Sequence, residues 1–139
     1  MSWQIDCRRI VAGRSRKGKS LATKQPINFL TMIDTKRGII NERNHELFGK
    51  SIKDTILFFP KAIGSSVGAY SIYSLKKNKT APKAIVCRDK VDIITASGCA
   101  IANIPLVDIS GIAAPCCINS GMDVHVDANK EMIMLTKTV

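Results

Sequence analysis

Two adjacent serines, Ser65 and Ser66, lie between Gly64 and Gly68 in the stretch FPKAIGSSVGAY, Phe59 to Tyr70. The apolar run TILFF precedes them and a helical pattern follows, so they occupy a strand-to-helix turn. A helix start leaves backbone N–H groups without intrahelical acceptors. Together with the helix dipole, those donors favour a bound anion or a side chain that must become anionic. Gly64 lets backbone come close. The turn therefore suits two tasks: cradling a carboxylate or phosphate, and lowering the pKa of a serine until it serves as a base. An ordinary serine N-cap, Ser65 or Ser66, has the same local sequence.

Other chemistry-bearing patterns are weaker. Gly13 to Ser20, GRSRKGKS, formally matches G-x-x-x-x-G-K-S, but a phosphate-binding loop needs a helix beginning at its Lys-Ser. Pro26 and the absence of an amphipathic pattern in SLATKQP argue against that helix. A nucleophile elbow is not assigned to Gly64–Gly68. The five cysteines (Cys7, Cys87, Cys99, Cys116 and Cys117) are odd in number, include a neighbouring pair and form no CxxC. They make a poor disulfide or zinc framework and read mostly as small buried residues. His45 and His125 lack metal-ligand spacing, and no metal site is assigned.

The elements that must position the serines follow from hydropathy pattern. A chain of 139 residues, 45% hydrophobic and 23% charged, suits one folded domain spanning residues 1–139. QIDCRRIVAG alternates as a first strand, and RSRKGKSLATKQ reads as a basic turn leading into a second. INFLTMIDTKRGIIN predicts strand, turn at Asp34 to Gly38, and strand. Thr55–Phe59 suits a strand buried on both faces, ended by Pro60. A helix is expected from Ser65 to the lysines of SLKKN, then a strand at Lys83–Cys87, a short helix in VDIITASGCAIAN and a strand in IPLVDIS. MDVHVDANKEMIMLTK reads as a C-terminal hairpin. The expected class is α/β with a mixed sheet or barrel.

No apolar run could cross a bilayer and the first residues, MSWQIDCRRI, show no signal pattern, so a cytoplasmic protein is expected. The net charge of +10 attracts polyanions, small anionic substrates or an acidic partner. No motif for nucleic-acid reading accompanies it. Solvated basic loops and a lysine-rich helix end account for the charge, and nucleic-acid binding is kept as an alternative only.

Four segments, INFLTMIDTKRGIINERNHELFGKSI, ILFFPKAIGSSVGAYSIYSL, APKAIV and SGCAIANIPLV, make the chain resemble the aconitase X small subunits. The archaeal phosphomevalonate dehydratase small subunits belong to that group. The resemblance covers roughly Gly18 to Asp108. It implies a swivelling β/β/α domain, a mixed sheet or barrel with flanking helices. It further implies a larger partner subunit carrying a [4Fe–4S] cluster, with no cofactor held by this chain. The implied reaction removes water from (R)-5-phosphomevalonate, an anionic phosphorylated substrate, giving trans-anhydromevalonate 5-phosphate in isoprenoid synthesis. The implied base is Ser65, with Ser66 and Gly64 holding an anionic substrate group; Asp34 either forms its turn or makes a substrate or subunit contact. His45 is expected to pack or bond locally. The chain departs from the family pattern at Thr31, Met32, Ala62, Ile63 and Ala69, which leaves open another hydroxy acid such as cis-3-hydroxyproline.

Overall fold

The structure, a computed structural model, describes residues 1–112 and 118–137. Cys116 and Cys117 lie outside the described residues. The expected first strand is two strands, β1 (Ser2–Asp6) and β2 (Arg8–Val11), separated by Cys7. The chain continues through β3 (Arg16–Ala22), the short β4 (Ile33–Asp34) and β5 (Ile39–Ile40), and β6 (Ile56–Phe59). Then come α1 (Gly68–Lys77), β7 (Ala84–Cys87), α2 (Ile93–Ala102) and β8 (Leu106–Asp108). The hairpin β9 (Asp123–Asp127) and β10 (Met132–Thr136) closes the order, as its alternation predicts.

Eight strands form one sheet in the order β1-β10-β9-β3-β6-β7-β8-β2. Its two edge strands, β1 and β2, are consecutive in sequence, so the break at Cys7 is the corner at which a nearly closed barrel meets itself. Closure of this kind covers strand edges that would otherwise invite foreign pairing. The pairings β3–β6, β6–β7 and β7–β8 are parallel and the rest are antiparallel. Arg8 fastens the corner by an ion pair to Asp108, 2.5 Å from Nη2 to Oδ2. Asp108 is fully buried and also accepts from the Val91 amide.

The pleat of the parallel strands divides the core in two. Ile56 and Phe58 of β6, with Ala84 and Val86 of β7, point into the barrel against Val124, Val126, Ile133 and Leu135. Leu57 and Phe59, with Ile85 and Cys87, point the other way against Ile72 and Leu75 of α1 and Cys99 of α2. Four consecutive buried residues in β6 need this two-sided burial, as its apolar run implies. The parallel strands are linked by α1 and α2, which pack on each other at Gly98. A Cβ there would stand 2.6 Å from Ile72 Cδ1 and 3.2 Å from the Ala69 carbonyl.

Two expectations are corrected. The strand expected from Ile27 survives only as a bridge to Ala62 and as β4. Asn28 Oδ1 accepts from the Leu30 and Thr31 amides, and the Met32 amide donates to the Asn28 carbonyl. A side chain that bonds its own backbone offers a turn in place of a ladder. The helix expected from Ser65 opens at Gly68, with Val67 at its N-cap and no side-chain cap. The two serines are therefore not helix caps but belong to the turn before it. The turn at Asp34–Gly38 is where expected, closed by a bond from the Gly38 amide to the Asp34 carbonyl.

Candidate active site

Phe59 ends β6, and the chain crosses to α1 through residues 60–67. This crossing is anchored on three sides. Ile27 pairs with it through bonds from the Ile27 amide to Lys61 O, 3.2 Å, and from the Ile63 amide to Ile27 O, 3.0 Å. Asp92 accepts from the Ala62 amide at 2.9 Å while its other oxygen caps α2 at the Thr95 amide, 2.8 Å. Asn28 fills the space beside Gly64, where a Cβ would lie 2.3 Å from Nδ2. Gly64 has φ of +95°, a left-handed conformation that glycine adopts without strain.

Held in this way, Gly64, Ser65 and Ser66 are exposed. Ser65 Oγ accepts from the Val67 amide at 3.2 Å. The carbonyls of Ser65 and Ser66 accept from the Gly68 and Ala69 amides in the first turn of α1. Among the described residues, the amides of Gly64, Ser65 and Ser66 donate to no protein acceptor. Successive free N–H groups of this kind form a concavity that attracts anions. The first turn of α1 contains no acidic residue to oppose one. An amide bonded to Ser65 Oγ also favours its anionic form over the neutral hydroxyl.

The run Gly64–Gly68 does spell G-x-S-x-G with Ser66 at its centre. A nucleophile elbow also needs a histidine base. His45 is buried, with Nε2 against the Pro26 carbonyl at 3.2 Å and Nδ1 accepting from the Leu47 amide at 3.1 Å. That is the local bonding its sequence context predicts. His125 lies in β9 with Nε2 buried and without a partner among the described residues. Neither histidine is bonded to Ser66 in the described residues.

Asp34 is engaged within its own turn. Its Oδ1 accepts from the Lys36 and Arg37 amides, and Oδ2 pairs with Arg37 Nε at 2.8 Å. The Arg37 guanidinium, followed by these amides, holds its carboxyl below the usual carboxylate range. Beside the serine turn, Ile63 shares a cleft of about 230 Å³ with Pro26, Met32, Glu42, Asn44 and His45. Asp34 does not line it. Of the positions that depart from the family pattern near the serines, Ala62 and Ala69 are buried, and only Ile63 faces solvent. Ala62 and Ala69 answer to backbone pairing and helix contact.

Asp92 and Asn28 were missed by sequence reasoning. Asp-Ile-Ile-Thr carries a capping signal that marks Asp92 as an N-cap, but nothing local shows that the same carboxylate holds Ala62.

The described cysteines, Cys7, Cys87 and Cys99, are free and buried. Burial, then Glu131, pushes the Cys7 thiol up to about 12, and burial raises Cys87 and Cys99 further. Among the described residues, no group of three His, Cys, Asp or Glu side chains could hold an ion. No helix among them is long and apolar enough to cross a membrane. The Gly-Lys-Ser of the G-x-x-x-x-G-K-S match, Gly18 to Ser20, lies in β3, so no helix follows its lysine.

The family model for the aconitase X swivel domain matches residues 4–135. The chain belongs to the aconitase X swivel-domain family. A phosphomevalonate dehydratase small subunit from Thermococcus sibiricus is 42% identical over 88% of this chain and 91% of its own length. One of the same name from Methanothermobacter thermautotrophicus is 38% identical, covering 94% and 98% of the two chains. The crystal structure of holo-form aconitase X from Thermococcus kodakaraensis superposes with a TM-score of 0.88 at 36% identity, over 97% of this chain and 99% of that one. The barrel and its two packed helices are thus those of an aconitase X swivel domain.

Proposed function

We propose that this chain is the small subunit of a two-subunit hydro-lyase that dehydrates (R)-5-phosphomevalonate to trans-anhydromevalonate 5-phosphate, with Ser65 as the base. The observation that carries the reading is kinship along nearly the whole chain with proteins named phosphomevalonate dehydratase small subunit. The serine turn supplies chemistry that fits it. Ser65 Oγ, as the serinate, takes the proton from the carbon beside the one that bears the hydroxyl and becomes neutral serine. The C–O bond breaks, and the departing hydroxide takes a proton from solvent to leave as water. The Val67 amide donates to the serine oxygen and stabilises the serinate that acts as the base. The free amides of Gly64 and Ser66 hold an anionic end of the substrate. The name small subunit borne by these relatives points to a larger partner, and the [4Fe–4S] cluster is assigned to that partner.

The test is turnover in the complex with the large subunit. Ser65→Ala should lower kcat by about a hundredfold or more, the scale of a lost general base. Size-exclusion chromatography should show unchanged assembly. A near-normal rate for Ser65→Ala would overturn the assignment. Offering cis-3-hydroxyproline in the same assay decides whether Ile63 marks a different substrate.

A further inference from the structure

A second polar cleft opens at the strand ends that launch the serine loop. It has a volume of about 360 Å³ and is lined in part by Thr23, Lys24, Glu46, Arg88 and Ser120. Thr23 follows β3 and Arg88 follows β7, and both are tied to the end of β6 between them. The Thr23 amide donates to Phe58 O at 3.0 Å and the Arg88 amide to Phe59 O at 2.9 Å. The cleft and the Ser65 turn therefore arise at the same carboxyl-terminal edge of the parallel strands, where α/β sheets place their ligands.

Arg88 is incompletely satisfied there. Its Nη2 donates to Ile118 O at 3.1 Å, while its Nε is buried without a partner among the described residues. A buried donor left unpaired, above all on a cation, is an unusual and destabilising arrangement. Lys24 adds a second cation with no ion pair among the described residues. Glu46 is the one acid among the lining side chains. Thr23 Oγ1 and the Lys24 amide both donate to its Oε1. The lining keeps one positive charge in excess.

We propose that Arg88, with Lys24, binds an oxyanion in this cleft, and that the anion is the phosphate of the substrate. The phosphate identity rests on the function proposed above; the oxyanion site does not. Phosphomevalonate carries a carboxylate at one end and a phosphate at the other. The free amides of the serine turn take the carboxylate end, and the guanidinium takes the phosphate by parallel N–H bonds.

Two measurements test this. In the ¹⁵N-labelled full chain, the Arg88 Nε–Hε signal, identified by its loss in Arg88→Lys, should shift saturably with inorganic phosphate at constant ionic strength. An unmoved signal, or equal drift of every arginine signal, overturns the oxyanion site. In the active complex, Arg88→Gln should raise KM for phosphomevalonate at least about tenfold, and Arg88→Lys should recover part of the loss. An unchanged KM in a complex that Ser65→Ala silences would refute the phosphate assignment and leave the function intact. Saturable phosphate binding in a chain whose complex does not dehydrate phosphomevalonate would retain the oxyanion site and overturn the function.

Discussion

Asp92 meets two demands with one carboxylate: it caps α2 and holds the Ala62 amide three residues before Ser65. Asp92→Ala should therefore destabilise the chain by about 2 kcal/mol, a lost cap plus a lost backbone bond. Urea denaturation measures this as a lower midpoint at unchanged slope. Asp92→Asn, whose remaining oxygen still accepts, should recover part of the loss. Turnover of the complex should fall in parallel, because the loop that carries Ser65 loses an anchor. At this scale the serine turn was readable, since its glycine, serines and flanking strand and helix are neighbours in sequence. Asn28 was not readable. It meets Gly64 across a separation of 36 residues, and only the bridge between Ile27 and Ala62 brings them together.

At the scale of elements, α1 presents the serine turn and α2 fixes the position of α1. Their contact depends on the missing side chain of Gly98. A Cβ at this position would lie 2.6 Å from Ile72 Cδ1 and 2.8 Å from Ile72 Cβ, so α1 must move to admit one. Gly98→Ala should reduce stability by about 1–3 kcal/mol, as overpacked cores do. Adding Ile72→Val, which removes Cδ1, should restore part of it; calorimetry of both variants provides the check. The strands β6 and β7 were recognisable as short apolar runs because burial on both faces leaves no room for polar alternation. The segment after Ile27 was misread as a strand. Its apolar residues bury in the helix-side core, but Asn28 turns the backbone on itself, which a hydropathy pattern cannot report.

Across the whole molecule, a group of basic residues gathers at the amino-terminal end of the parallel strands. Arg16 and Lys17 begin β3, Lys83 precedes β7, Lys76 lies in the last turn of α1 and Lys79 follows it; Arg16, Lys76, Lys79 and Lys83 share a cleft with Asp54. The serine turn follows the other end of β6. This basic group is separate from Lys24 and Arg88, which lie at the serine end. The core has a pH signature of its own. Burial, then Glu131, pushes the Cys7 thiol from its ordinary value of 9.0 up to about 12. A raised value means that the folded chain holds its proton more tightly than the unfolded chain. That stabilising contribution is complete below pH 9 and is lost as pH rises from 9 toward 12. Urea unfolding at increasing pH should show stability falling over this window, and Cys7→Ala should make the fall shallower. An identical decline in the variant would show that other groups carry the effect.

Residue order alone determined which segments extend, which coil, and that two serines stand where a strand passes into a helix, because each of these is set by near neighbours. Kinship was readable for the same reason, as motifs in a fixed order. The closing of the barrel at Cys7, the support of Gly64 by Asn28, the second use of Asp92 and the unpaired Arg88 Nε beside Lys24 were decided by the fold. Each joins residues far apart in the chain, and side chains so separated meet only once parallel strands and packed helices have brought their backbones together.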